Sequence, residues 1–295
     1  MSHSPPVLPD SALTGYRTAV DDLVTELAVN SRAADQPVVA DIVSRRLKEP
    51  EFDTVISRLD NGADAAASRL IGEILDFRPN AHNSASDLVT YIRILLLSQI
   101  DAAWWSGTAP FAQDADVLGS AELVDLAPLK SARVLQFGYR AQPAGLPGRA
   151  RDWVQHRFLP AARPRVAGLR FTCSRPAVIA LVNQVAADFA AAMPPRTPRI
   201  WVNSMVRSVD HQHRLRSLGY AAVLPSAHCA GYACDLESSW LRRFDPGNVL
   251  AGLLFERQQA GQLNVIDEGR TWHLCVSPGA CGELLAAYHR QLQAR

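Results

Sequence analysis

Eight histidines are spread along the chain, and two of them keep company that could do chemistry. His228 and Asp235 lie seven residues apart with Gly231 between them. His273 comes later, beside Trp272 and directly before Leu274, Cys275 and Val276, a β-prone run. A glycine-containing loop that leads into a strand can fold a histidine and an aspartate toward one point. A histidine on an adjacent strand can then supply a third ligand. Two imidazoles and one carboxylate leave tetrahedral Zn²⁺ one position open for water, as catalytic zinc sites require. Gly231 reads as a backbone position that needs positive φ. Ser226 has no Gly-x-Ser-x-Gly elbow around it, which argues against a serine nucleophile.

These residues belong to three ordered motifs. Ser204, Arg207, Ser208 and Gln212 spell Ser-x-x-Arg-Ser-x-x-x-Gln. Ser226, His228, Gly231, Ala233 and Asp235 spell Ser-x-His-x-x-Gly-x-Ala-x-Asp, and Trp272 and His273 form a closing Trp-His pair. Over residues 202–278 the chain therefore resembles the D-Ala-D-Ala carboxypeptidase and dipeptidase superfamily of zinc peptidases, which includes the lysostaphin-type peptidases and the hedgehog signalling domain. The resemblance implies that His228, Asp235 and His273 ligate zinc. It also implies that Arg207 polarises the scissile carbonyl and stabilises the oxyanion, a task suited to a planar five-donor cation. Ser226, Gln212 and Trp272 fall within the motifs and are the implied substrate-binding residues, with Trp272 alternatively packing behind the ligand as a cleft wall.

One position departs from the pattern. Members with Glu-x-x-His place the general base three residues before the last ligand, where this chain has Arg270. Glu268, five before His273, is the first candidate for the base, and Asp267, six before, is the second. A carboxylate is needed there to take the proton of zinc-bound water and pass it to the leaving amine.

The elements that must position these residues follow from hydrophobic period. From Tyr16 to Trp105 the pattern is helical. Leu23, Leu27 and Val29 form one stripe, Val38, Val39, Ile42, Val43 and Leu47 a second, and residues 62–77 and 86–105 two more. Asn83, Ser84 and Ser86 are N-cap candidates for the last of these. The first ten residues suggest a mobile tail, residues 106–130 a linker and residues 142–165 a surface wrap. A helix is expected over 177–193, ended by Pro194 and Pro195, then a short strand over 199–204 and a helix start at Ser208. The expected fold is α+β: a helical N-terminal region, residues 1–125, and a zinc peptidase-like domain, residues 126–295. That domain is a small antiparallel sheet flanked by helices, with zinc at one edge of the sheet.

The totals exclude several classes. The chain has 295 residues, of which 48% are hydrophobic and 20% charged, an ordinary globular composition. Its formal net charge of +1 gives no overall field that would recruit nucleic acid or an anionic membrane. Residues 92–105, the most apolar stretch, are broken by Ser98, Gln99 and Asp101 and are too short to span a bilayer. The N-terminus lacks the basic and apolar regions of a secretory signal, so the expected location is cytoplasmic. Cys173, Cys229, Cys234, Cys275 and Cys281 are an odd number at spacings that suit neither a disulfide framework nor a Cys₄ zinc site, and read as small buried thiols. The expected function is zinc-dependent hydrolysis of an amide bond in a small peptide or peptide-like substrate, a cytoplasmic dipeptide or recycled muropeptide. The alternative is a catalytically degenerate zinc-binding domain that serves recognition.

Overall fold

The structure is a computed structural model that describes residues 8–29, 35–59, 62–79, 85, 87–143, 164, 166, 168–220 and 222–294. It is α+β, helical toward the N-terminus with its sheets further on, and divides into two compact units. Residues 1–109 and 211–227 form one, and residues 110–210 and 228–295 form the other.

In the first unit, five helices follow in order: α1 (Asp10–Val29), α2 (Gln36–Arg46), α3 (Pro50–Ile56), α4 (Gly62–Asp76) and α5 (Leu88–Trp105). Proline in the first turn starts both α2 and α3, where its missing N–H would be unbonded anyway. The cap of α5 is Asp87, which accepts from the Thr90 N–H at 2.8 Å. Asn83, Ser84 and Ser86 lie outside the described residues. Fourteen of the 18 residues of α5 are buried, as expected of a helix that is apolar almost all round. Tyr16 is fully buried, packs edge-on against Phe52 and donates its hydroxyl to the Leu96 carbonyl at 2.8 Å. Val29, placed in the first stripe by sequence, is instead 81% exposed, because it is the last residue of α1. Residues 211–227 join this unit through Arg216, whose Nη2 donates to Glu73 at 2.8 Å while the Tyr91 hydroxyl donates to the other oxygen at 3.0 Å. No described helix is long and apolar enough to cross a membrane.

The second unit begins where the sequence suggested a linker. Residues 106–130 instead carry α6 (Asp114–Gly119), β1 (Val124–Asp125) and α7 (Leu126–Ser131), with β1 pairing antiparallel to β2 (Cys173–Ser174). Short polar elements of this kind lack the period that would reveal them in a sequence. Most of residues 142–165 lie outside the described residues. In chain order there follow α8 (Pro176–Ala192), β3 (Val202–Ser204), α9 (Val209–Ser217), most of which belongs to the first unit, the single-turn α10 (Ala227–Ala230), β4 (Ala233–Glu237), α11 (Val249–Gln259), β5 (Leu263–Asp267), β6 (Thr271–Val276) and α12 (Cys281–Gln293).

β3, β4, β6 and β5 lie in that order in one antiparallel sheet. Alternation along the strands gives this sheet two different faces. Cys234 and Leu236 of β4 lie opposite Leu274 and Trp272 of β6, and all four join the main core with Val178, Leu181 and Val182 of α8. Asp235 and His273 point to the other face. Replacing Leu236 by Ala should lower the stability of this unit by about 2–5 kcal/mol, read as a fall in the urea midpoint. A midpoint unchanged from wild type would mean that Leu236 is not part of the packed face.

Candidate metal centre

Strand pairing brings the first two ligands together. Asp235 and His273 sit directly opposite each other on β4 and β6, the two inner strands. The site thus occupies the face of the sheet, not its edge, because the ligand-bearing strands are flanked by β3 and β5. His228 comes from α10, which is held in place from several sides. The Arg175 Nε donates to the Ala230 carbonyl at 2.8 Å and its guanidinium covers the Tyr232 ring, while the Phe111 N–H donates to the Cys229 carbonyl at 2.8 Å. Gly231 ends the turn at φ 79°. The backbone conformation favours glycine, and a Cβ there would stand a tight 3.1 Å from Arg175 Nε and 3.3 Å from the Phe111 ring.

The three ligand atoms form a nearly equilateral triangle. His228 Nε2 is 3.1 Å from Asp235 Oδ1 and 3.2 Å from His273 Nδ1, and His273 Nδ1 is 3.0 Å from Asp235 Oδ1. Ligands of a tetrahedral ion at 2.0–2.1 Å stand about 3.3 Å apart, so the triangle is within a few tenths of an ångström of one face of such a polyhedron. All three residues are buried. His228 donates its Nδ1–H to the Met205 carbonyl at 2.6 Å, which leaves the Nε2 lone pair aimed inward. When His228 is neutral, the Nε2 lone pair faces the Asp235 carboxylate, and a cation between them, whether a proton or a metal ion, satisfies both. Burial first, and then the charge of Arg207, lower the pKa of His228, so the ring resists supplying that cation as a proton. For Asp235, burial would raise the pKa, but it is outweighed by the charges of His228 and Arg207 and by hydrogen bonds from both histidines, which hold it well below the usual carboxylate range. His228, Asp235 and His273 are therefore a buried group that could hold a metal ion.

Hairpin register sorts the remaining candidates. Asp267 pairs with Trp272, and the Glu268 N–H donates to the Thr271 carbonyl at 3.0 Å, so Glu268 falls on the face of Thr271 and His273. The Thr271 hydroxyl donates to Glu268 Oε2 at 3.0 Å. Burial, and after it the charge of Asp235, raise the pKa of Glu268, which places this carboxyl within electrostatic reach of the ligands. Asp267, the second candidate for the base, is on the opposite face, held by Arg242 Nη2 at 2.9 Å to each oxygen. Trp272 likewise faces the core, edge-on to Phe255, and so is packing behind the ligand strand. Gln212 is buried and spends its amide Nε2 on the Val223 carbonyl at 2.9 Å. Ser226 is half-buried just before α10.

Arg207 is at the site, though in a different engagement from the one expected. Its Nη2 donates to Asp235 Oδ2 at 2.7 Å, its Nε to Ser204 Oγ at 2.8 Å, and its backbone N–H to the His228 carbonyl at 3.0 Å. Sequence reasoning gave no role to Ser204, Met205, Phe111 or Arg175. Met205 contributes only a carbonyl, which no side-chain pattern reveals. The five cysteines are free thiols, Cys229, Cys234 and Cys275 are buried, and none joins the ligand group.

Purified protein should bind one metal ion per chain, and His228→Ala, Asp235→Ala or His273→Ala should each leave elemental metal content well below one equivalent. Full occupancy in His228→Ala would remove that residue from the ligand set. The metal-free protein should also be acid-sensitive. A pKa lower in the folded than in the unfolded chain means that the unfolded chain takes up protons first, so the stability contribution is complete at higher pH and is lost as pH falls. For His228 the loss begins below 6.5 and for Asp235 below 3.8. In chelator, the urea midpoint should fall as pH drops through about 6.5, and His228→Asn should flatten that slope. An equal slope in the variant would assign the acid sensitivity elsewhere. No protein-family model matches the chain, and no curated protein or solved structure matches it either, so the arrangement of its own residues carries the functional reading.

Proposed function

We propose that the chain is a zinc-dependent hydrolase that cleaves an amide bond in a small peptide or peptide-like substrate. The observation that carries this reading is a buried triangle of two imidazole nitrogens and one carboxylate oxygen with a further carboxylate, Glu268, on the same face of the sheet. Imidazole with carboxylate suits zinc, and the three ordered motifs that resemble the D-Ala-D-Ala peptidase superfamily point to the same metal and to amide hydrolysis.

When bound, zinc supplies Lewis-acid activation of water and of the substrate carbonyl. The chain's own groups do the rest. Glu268 accepts the proton that the attacking water gives up as its oxygen bonds to the carbonyl carbon. It returns that proton to the amide nitrogen as the carbon–nitrogen bond breaks, which yields a carboxylic acid and an amine. Its raised pKa makes the carboxylate a stronger acceptor for the proton of the attacking water. The Thr271 hydroxyl fixes the carboxylate's orientation. The cation of Arg207, beside Asp235, opposes the negative charge that grows on the carbonyl oxygen. A dipeptide such as D-Ala-D-Ala or a recycled muropeptide fits this chemistry.

One feature favours a second reading. Arg270 occupies the position at which Glu-x-x-His members carry their base, and a chain that held zinc without hydrolysing amides would be a recognition domain. The experiment that separates the two is amine release from a panel of dipeptides and muropeptide fragments by the zinc-loaded protein. Glu268→Gln should keep its zinc and its fold while losing about two to four decades of turnover, because an amide cannot accept the proton. Asp267→Asn should change turnover little. Activity retained in Glu268→Gln would exclude this residue as the base, and a wild type that cuts nothing on the panel would favour recognition.

A further inference from the structure

We infer that Arg207, braced by Ser204, is a positioning residue that sets the affinity and coordination geometry of the metal centre by occupying the outer oxygen of Asp235. This rests on the reading of His228, Asp235 and His273 as metal ligands. The two oxygens of Asp235 have different partners. Oδ1 faces both histidine nitrogens, at 3.1 and 3.0 Å, and Oδ2 accepts from Arg207 Nη2 at 2.7 Å. A carboxylate with both oxygens available can chelate a metal through the pair. One with a charged hydrogen bond on the outer oxygen offers the inner one alone, which keeps the ligand count at three and a coordination position open.

Arg207 is itself held in place. Its Nε donates to Ser204 Oγ at 2.8 Å, and its backbone N–H donates to the His228 carbonyl at 3.0 Å, so this residue is tied to two of the three ligand residues. Ser204 reaches it through a β-bulge. Val202 pairs with Leu236, and an unbroken antiparallel register would set Ser204 opposite Cys234, on the core face. The register instead shifts between Val202 and Ser204, and Ser204 lies opposite Asp235. An inserted residue that re-aims a side chain is a recurrent device beside functional sites.

The sign of the effect makes the inference testable. As a positive charge near the site, Arg207 opposes a metal cation, so its removal should tighten binding if charge alone mattered. As a positioning residue, its removal should weaken binding. The experiment measures zinc affinity by chelator competition and the visible absorption of the Co²⁺-substituted protein. In Arg207→Met, zinc affinity should fall about 10–100-fold. The Co²⁺ bands should lose intensity, because a freed Oδ2 lets Asp235 chelate and raises the coordination number above four. Ser204→Ala, the milder variant, should lose about fivefold in affinity, a fraction of the worth of one hydrogen bond from a charged donor, with the same spectral trend. Ser204→Thr, which keeps the hydroxyl, should retain wild-type behaviour. If Arg207→Met fails to fold by circular dichroism, the Ser204 pair decides. Unchanged or tighter affinity with an unchanged Co²⁺ spectrum would overturn the inference while leaving the metal centre intact. A wild type that takes up neither zinc nor cobalt would overturn the metal centre itself, and this inference with it.

Discussion

Asp235 and His273 face each other across β4 and β6 at a single cross-strand pair, and much of the second unit follows from keeping that pair in register. A slip of one residue in either strand would turn its member of the pair into the apolar core and bring an apolar neighbour, Cys234 or Leu236 on β4 and Trp272 or Leu274 on β6, out to replace it. The core side of the sheet resists the slip. Leu236, Trp272 and Leu274 belong to the main core, β6 packs on α8, and Trp272 meets Phe255 of α11 edge-on, so the apolar face fixes the polar one. The hydrophobic alternation of these strands is thus also a device for aiming ligands.

Polar ligand groups on a buried face cost stability unless each is satisfied. The chain meets part of that cost with its own groups: the Met205 carbonyl takes the outer N–H of His228, and Arg207 takes the outer oxygen of Asp235. What remains is an inward-facing cluster of His228 Nε2, His273 Nδ1 and Asp235 Oδ1, in which burial works against a proton on His228. Chains commonly bury polar groups at functional sites in this unbalanced way, and a bound cation restores the balance. The supporting residues are recruited from distant parts of the sequence. Phe111 and Arg175, far upstream of His228, hold its turn from outside.

The hairpin between β5 and β6 solves a smaller problem of the same kind. Asp267 and Glu268 are neighbours of one charge, and the strand places them on opposite faces. Gly269, at φ 81°, closes the turn, Arg242 neutralises Asp267 from the core side, and Glu268 is left on the ligand face with the Thr271 hydroxyl on one oxygen. The like charge of Asp235 then acts on Glu268 through space and, with burial, raises its pKa.

The residue types and their order in the sequence by themselves pointed to the trio His228, Asp235 and His273 that the fold gathers, to a helix over 177–193 that the structure sets one residue earlier, to the β-prone run around His273 and to positive φ at Gly231. Apart from the trio, each of these is a local matter of period, propensity or backbone sterics, written within a few residues of the chain. The choice between Asp267 and Glu268 was not legible, because it depends on where the hairpin turns, and only the pairing of β5 with β6 fixes that. Of the two readings of Trp272, in the cleft or packing beside the ligand, strand alternation selects the second, because it sends neighbours to opposite faces. The elements within residues 106–130 stayed hidden for want of period, and with them the support that Phe111 gives to the turn of His228. The support that Ser204 gives to Arg207 depends on a bulge that sets Ser204 opposite Asp235, an event in the pairing of two strands that no single stretch of sequence contains.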